Sequence, residues 1–239
     1  SSLSAPMVLC LKTRESRTLP GYYLMKNIIV VTGGAGFVGS NLIQYILKKT
    51  KKKIISIDNY STGLRTNHFK NKRVKYLKLE TSKINYKLAK LKKKIHTIFH
   101  FGEFARIYQS FNYFDECYDS NTIGTKAVFK FCLDNKIKLV YSATSASLGN
   151  LGKDKNLSPY AFTKSKNLEL LENLKKWFNF KFEVIYFYNV YGPRQIKKGK
   201  MATVIGIFEN LYENKKPLTV VKPGSQTRRF THIKDTIDV

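Results

Sequence analysis

An apolar run over residues 27–31 leads into Thr32-Gly33-Gly34-Ala35-Gly36-Phe37-Val38-Gly39-Ser40-Asn41, and an amphipathic stretch over 42–47 follows. That order of strand, glycine turn and helix announces a dinucleotide site. Gly33 permits the tight turn, Gly36 lets a pyrophosphate approach the backbone, and Gly39 lets helix and strand pack closely, while the helix N-terminus offers free N–H groups to the anion. The next apolar run, 54–57, ends at Asp58, 25 residues after Gly33. A carboxylate there can accept both ribose hydroxyls and would repel a 2′-phosphate, so the pattern predicts NAD in preference to NADP.

The strand and helix rhythm continues along the chain. Further apolar, β-rich runs lie at 74–79, 95–101, 137–141 and 182–187, and helical stretches at 36–49, 118–135 and 158–178 separate them. Strand alternating with helix predicts an α/β fold with a parallel, doubly wound sheet of the Rossmann kind. After about residue 190 the rhythm breaks, and a helix near 202–212 and a strand near 218–221 open a smaller substrate lobe. The expected organisation is an extension over 1–24, a dinucleotide-binding domain over 25–189 and a partial second lobe over 190–239. The extension, ahead of Met25, is expected to be disordered, with a packed arm as the alternative.

Forty-three Lys and Arg against 16 Asp and Glu give a net charge of +27, which at first suggests nucleic acid. The lysines are scattered, however, in runs such as Lys51-Lys52-Lys53 and Lys92-Lys93-Lys94, with no nucleic-acid signature around them. They predict a solvated surface whose field attracts anionic small molecules, and no specific nucleic-acid partner. Cys10, Cys117 and Cys132 are an odd number at spacings that suit neither a disulfide framework nor a metal site, so a cytoplasmic protein is expected. No apolar run approaches membrane-spanning length.

The chemistry concentrates at Tyr160-Ala161-Phe162-Thr163-Lys164, where Tyr160 and Lys164 share a helix face. Spacing alone does not single them out, since Tyr22/Lys26, Tyr45/Lys49, Tyr86/Lys90 and Tyr212/Lys216 repeat it. Context does. Tyr160 follows Ser158-Pro159 at a helix start, and the strand before it ends in Ser142-Ala143-Thr144-Ser145, at the edge where such a sheet binds its ligand. Lys164 beside a positively charged nicotinamide would lower the phenol's pKa toward use as a general base. Thr144 would hold the substrate oxygen and pass the proton. Thr144, Tyr160 and Lys164 are the predicted catalytic residues.

These residues resemble the extended short-chain dehydrogenase/reductases of the NAD-dependent sugar epimerase/dehydratase kind, nearest in pattern to the UDP-glucose 4-epimerases. The resemblance extends through Asp58-Asn59-Tyr60-Ser61-Thr62-Gly63, Ile98-Phe99-His100, Asn121-Thr122-Ile123-Gly124-Thr125, Asn189-Val190-Tyr191-Gly192-Pro193-Arg194-Gln195 and Gly224-Ser225-Gln226-Thr227-Arg228. It implies bound NAD, a nucleotide-sugar substrate such as a UDP-hexose, a homodimer, and epimerisation by transient oxidation and hydride return. Carried over by position, Gly33, Gly36, Phe37, Val38, Gly39, Asp58, Asn59, Ser61, Thr62, Gly63, Phe101, Gly102, Asn121, Ser142, Tyr160 and Lys164 would contact the cofactor. Glu80 is the corresponding residue for the adenine amino group, where relatives more often carry Asp. Asn189 and Arg228, with Thr144, would hold the substrate.

Dehydratases and decarboxylases that resemble the chain carry an acid two residues after the position of Thr144; here Ala146 stands there. The alternatives kept open are another nucleotide-sugar dehydrogenase or dehydratase of the same family, and a non-catalytic NAD-binding protein. The chain departs from the family pattern at Phe101-Gly102-Glu103-Phe104, at Leu148-Gly149 and at Tyr186. Glu103 is expected either to touch the sugar or to pair with Arg106.

Overall fold

In the computed structural model, which describes residues 26–145 and 149–238, the six apolar runs form one sheet. Its strands are β1 (Ile28–Thr32), β2 (Lys53–Asp58), β3 (Val74–Lys78), β4 (Ile95–His100), β5 (Lys138–Thr144) and β6 (Phe182–Phe187). They lie in the order β3-β2-β1-β4-β5-β6 with every pairing parallel. The order reverses between β1 and β4, which opens a crevice at their C-terminal ends. The expected doubly wound Rossmann sheet is the observed fold.

Every residue of β1 is buried, and it reads as an unbroken Ile-Ile-Val-Val-Thr run because helices cover both faces of the sheet. On one face Val30, Ile98, Leu139 and Phe129 form a core; on the other, Val31, Ile43, Ile46 and Val140 form a second. Fully burying each such side chain stabilises the fold by roughly 1.5–3 kcal/mol. The helices are α1 (Phe37–Lys49), α2 (Ile84–Leu88), α3 (Gln109–Asn112), α4 (Phe114–Tyr118), α5 (Thr125–Asp134), α6 (Pro159–Phe178), α7 (Val204–Glu213) and α8 (Ile233–Ile237). The helix expected over 118–135 is interrupted: a π-helical turn over Asp119–Gly124 joins α4 to α5. At that turn a side chain on Gly124 would sit 2.3 Å from the Thr81 hydroxyl.

Beyond β6 the chain forms a two-stranded parallel pair, β7 (Val190–Tyr191) with β8 (Thr231–His232). It then returns to the main sheet, where Ile237 of α8 packs on the core that α1 covers. Polar contacts tie the same segment to α1. Asn41 Nδ2 donates to Pro193 O at 2.9 Å, and Arg194 Nη2 donates to Asn41 Oδ1 and Gln44 Oε1 at 2.7 Å. The strand expected over 218–221 does not form, and Val220 and Val221 are 73% and 76% exposed. Their β-branched pattern suits a strand, but no strand among the described residues pairs with them, and an unpaired strand has no ladder to stabilise it.

Candidate active site

The crevice at the β1/β4 edge is a cavity of about 1630 Å³, and the glycine turn forms one wall. Gly33 has φ +67°, and a Cβ there would lie 2.7 Å from Phe101 O, so the turn closes only without a side chain. A Cβ on Gly39 would lie 2.2 Å from Gly33 O, so the first turn of α1 could not pack on the loop. Gly36 caps α1 and no side chain occupies its leading amides. Gly33, Gly36, Phe37, Val38 and Gly39 all line the cavity. A bare backbone cradle at a helix N-terminus fits the pyrophosphate of a dinucleotide.

Asp58 closes β2 on the same cavity and is 7% exposed. Its Oδ2 accepts from Ala35 N at 2.9 Å and its Oδ1 from Tyr60 N at 2.8 Å, so the carboxylate braces both the glycine turn and its own loop. Each oxygen keeps a second lone pair for a ribose hydroxyl. Asn59, Ser61, Thr62 and Glu80 continue this wall, with Asn59 Nδ2 donating to Glu80 Oε2 at 3.2 Å. Gly63 lies behind it instead: a Cβ there would be 2.7 Å from Asp58 Oδ1. Phe101, Gly102 and Ser142 line the opposite side.

The expectation for Asn121 needs correction. Its side chain is fully buried behind the wall, where Oδ1 accepts from Phe104 N at 2.7 Å and Nδ2 donates to Phe104 O at 3.1 Å and Thr163 Oγ1 at 3.2 Å. It ties the Phe104 loop to α6. Its amide oxygen and both amide hydrogens are thus committed to protein partners.

Thr144, Tyr160 and Lys164 converge on the cavity from the end of β5 and the start of α6. Ser158 caps α6 by accepting from Ala161 N at 3.1 Å, and Pro159 occupies the first turn, where a missing N–H costs nothing. This start presents Tyr160 to Thr144, whose hydroxyl hydrogen-bonds the phenol. Burial nevertheless pushes the Tyr160 phenol up to about 12, with the Glu103 carboxylate acting in the same direction and Thr144 and Arg106 against it. The lowering expected of Lys164 is tied to a nicotinamide beside it; in this structure the Lys164 charge is paired with Glu103.

Lys164 Nζ donates to Glu103 Oε2 and to Ser142 O, and stands 4.5 Å from the centre of the Tyr141 ring. Glu103 therefore pairs with Lys164. Arg106 turns away and donates through Nε and Nη2 to Met201 O at 2.8 and 2.6 Å. Glu103 also accepts from Thr125 Oγ1 at 2.9 Å, Tyr141 OH at 3.0 Å and Asn167 Nδ2 at 3.2 Å. Behind it, His100 bridges Thr32 Oγ1 at 2.7 Å and Thr125 Oγ1 at 2.9 Å. Since Thr125 donates to Glu103, its oxygen accepts from His100 Nε2–H and leaves Nδ1 for the Thr32 hydroxyl. Burial holds His100 down at about 4, which keeps the ring neutral. This network was not foreseen in the sequence, although Asn167 falls on the Lys164 face of α6 by its spacing.

Asn189, with φ +39°, and Arg228 line the same cavity at its far side. Asn189 Nδ2 donates to Arg229 O at 2.9 Å and Arg228 Nη1 to Thr227 O at 2.8 Å. Ala146 and Leu148 lie outside the described residues, as do 1–25. Among the described residues no helix is long and apolar enough to cross a membrane.

Residues 29–239 match the family described as the NAD dependent epimerase/dehydratase family. Over 226 residues the chain is 31% identical to an uncharacterized UDP-glucose epimerase, YtcB, of Bacillus subtilis, covering 87% of the chain and 70% of that protein. It is 30% identical over 230 residues to an ADP-L-glycero-D-manno-heptose-6-epimerase of Brachyspira hyodysenteriae, covering 89% and 70%. Its fold matches that of a UDP-glucuronic acid 4-epimerase from Bacillus cereus, solved with UDP-glucuronic acid and NAD, at TM-score 0.77 and 28% identity over 88% of this chain and 70% of that one. The glycine cradle, the cavity and this match over most of its length place the chain in the NAD-dependent epimerase/dehydratase family.

Proposed function

We propose that the chain is a nucleoside-diphosphate-sugar 4-epimerase. The observation that carries this reading is the convergence of Thr144, Tyr160 and Lys164 on a cavity whose other wall is the glycine cradle. NAD is the cofactor of the family, and here the amides at the start of α1 would hold its pyrophosphate and Asp58 its adenosine ribose. Asn59, Ser61, Thr62 and Glu80 would flank the adenosine, while Phe101, Gly102, Ser142 and Lys164 would surround the nicotinamide riboside. When bound, it supplies a cationic ring that accepts a hydride and returns it.

The protein's part is proton transfer and orientation. Thr144 holds the C4 hydroxyl of the sugar, and Tyr160 takes that proton as the hydride leaves and gives it back afterwards. With the phenol raised to about 12, holding it ionised near pH 7 would cost roughly 7 kcal/mol, so the resting phenol is protonated and needs added positive charge to act as a base. Asn189 and Arg228 would bind the diphosphate, an amide and a planar guanidinium being suited to it. Ala146 supplies no acid for elimination, which favours return of the hydride over loss of water.

Several features support the rest of the assignment. Cys117 and Cys132 are free and buried, as a reducing cytoplasm allows. Phe111, Phe114 and Tyr118 leave an exposed aromatic face on α3 and α4, which suits a homodimer. The deciding experiment is product analysis from several UDP- and dTDP-sugars, with Tyr160→Phe as control. Conversion to the 4-epimer with no free NADH is expected. Release of water or carbon dioxide, or full activity in Tyr160→Phe, would refute the assignment.

A further inference from the structure

Lys164 is 3% exposed, and the Glu103 side chain that meets it is 2% exposed. Isolating an ammonium group from water favours its neutral form unless an opposite charge stands beside it. Four donors converge on the Glu103 carboxylate, Lys164 Nζ, Thr125 Oγ1, Tyr141 OH and Asn167 Nδ2, while the Ser142 hydroxyl beside it donates to His100 O at 3.0 Å. They arrive from α6, α5 and β5, so the carboxylate is fixed by three elements at once. We propose that Glu103 is the counter-ion that keeps Lys164 in its ammonium form and fixes Nζ between the Ser142 carbonyl and the Tyr141 ring.

The remaining titratable groups around Nζ cannot take over this role. His100 from β4 is held down at about 4 by burial, and Cys117 from α4 is pushed up to about 11. Tyr160 on α6 is raised to about 12, and burial also raises Tyr141 on β5 well above its ordinary value. All four are therefore neutral near pH 7, and Glu103 is the one carboxylate in the group. Burial drives Lys164 down while Glu103 opposes it by charge and by hydrogen bond. Glu103 is thus a positioning residue: it acts through Lys164 and through the Tyr141 and Asn167 groups that share it.

The value of this pair for catalysis rests on the proposed role of Lys164, but the test reads stability, so the two can fail separately. In Glu103→Gln the folded chain would release the Lys164 proton at a lower pH than the unfolded chain does. The unfolded state then binds more protons, and stability rises with pH. The stability gap between wild type and Glu103→Gln should therefore narrow as pH rises from about 6 to about 9, by up to about tenfold in the unfolding constant per pH unit. Lost hydrogen bonds alone would give a gap independent of pH. In Glu103→Gln/Lys164→Met, which removes both charges, the pH dependence should vanish. If Glu103→Gln does not fold near neutral pH, folding should return at about pH 9 or with Lys164→Met. A pH-independent gap, or a double variant no more stable than Glu103→Gln, would overturn the proposal.

Discussion

Asp58 carries two duties that a single substitution separates. Its Oδ2 and Oδ1 accept from Ala35 N at 2.9 Å and Tyr60 N at 2.8 Å, at 7% exposure. Hydrogen bonds to a charged acceptor contribute about 1.5–3 kcal/mol each. Asp58→Asn keeps one acceptor oxygen without its charge and turns an amide donor toward the other backbone N–H. The expected cost is one bond lost and one weakened, about 2–4 kcal/mol. For a folded unit of this size that lowers Tm by about 5–12 °C.

The second duty is the ribose. Two hydroxyls accepted by one carboxylate should give NAD preference over NADP, and Asp58→Asn should weaken NAD by about 10- to 100-fold while weakening NADP less. Denaturant unfolding measures the first effect, and fluorescence titration with each cofactor measures the second. A variant as stable as wild type would mean that the two backbone bonds contribute nothing net. Unchanged NAD affinity, or NADP bound as tightly as NAD by the wild type, would remove Asp58 from the ribose and turn attention to Arg65 on the same loop.

Tyr160→Phe should retain NAD yet lose at least about 100-fold in sugar turnover, since it removes the proton acceptor and little of the cofactor site; Thr144→Ala should lose less, because only a hydrogen bond goes. Steady-state rates beside NAD titrations separate the two, and weak NAD binding in Tyr160→Phe would contradict the division of roles. His100, held at about 4 against about 6.5 when unfolded, binds fewer protons folded than unfolded. Its contribution is whole above about pH 6.5 and is lost as pH falls through about 4, up to about 3 kcal/mol. His100→Gln should flatten that limb of the stability curve, and an unchanged limb would assign acid unfolding to other groups. Any binding of random duplex DNA at low salt should fade by physiological salt without sequence preference, as scattered lysines provide only counterion release; a salt-resistant, sequence-selective complex in a gel-shift series would reverse that view.

The sheet was legible because its central strands bury both faces, so burial itself writes an apolar run such as Ile28 to Val31 or Ile54 to Ile57, while the half-buried edge strands β3 and β6 carry a weaker form of the same signal. The same signal misleads at Val220 and Val221, where β-branched residues stand exposed: intrinsic preference reports what a residue favours, and pairing depends on a partner elsewhere. Helices of four or five residues such as α3 and α4 are too short for a hydrophobic period to declare itself. At the site, the Gly33 turn, Asp58 and the Tyr160/Lys164 spacing are local patterns, and local patterns can be read.

The partner of Lys164 was beyond such reading. Glu103 is 61 positions away from it, and its other donors come from α5, β5 and a later turn of α6. From the sequence, Arg106 is the nearer cation, and only the packing of the Phe104 loop against Asn121 shows why it is not chosen: that contact fixes the loop, while Arg106 is drawn off to the Met201 carbonyl. Asn121 was misread for the complementary reason. A motif position identifies a conserved-looking polar residue without saying which side of the cavity wall its amide faces, and here the wall is built by spending that amide on the backbone of Phe104. The charge state of the site is then a property of loop packing, which is why substitutions at Asn121 should disturb Lys164 through Glu103 even though Asn121 touches no part of the cavity.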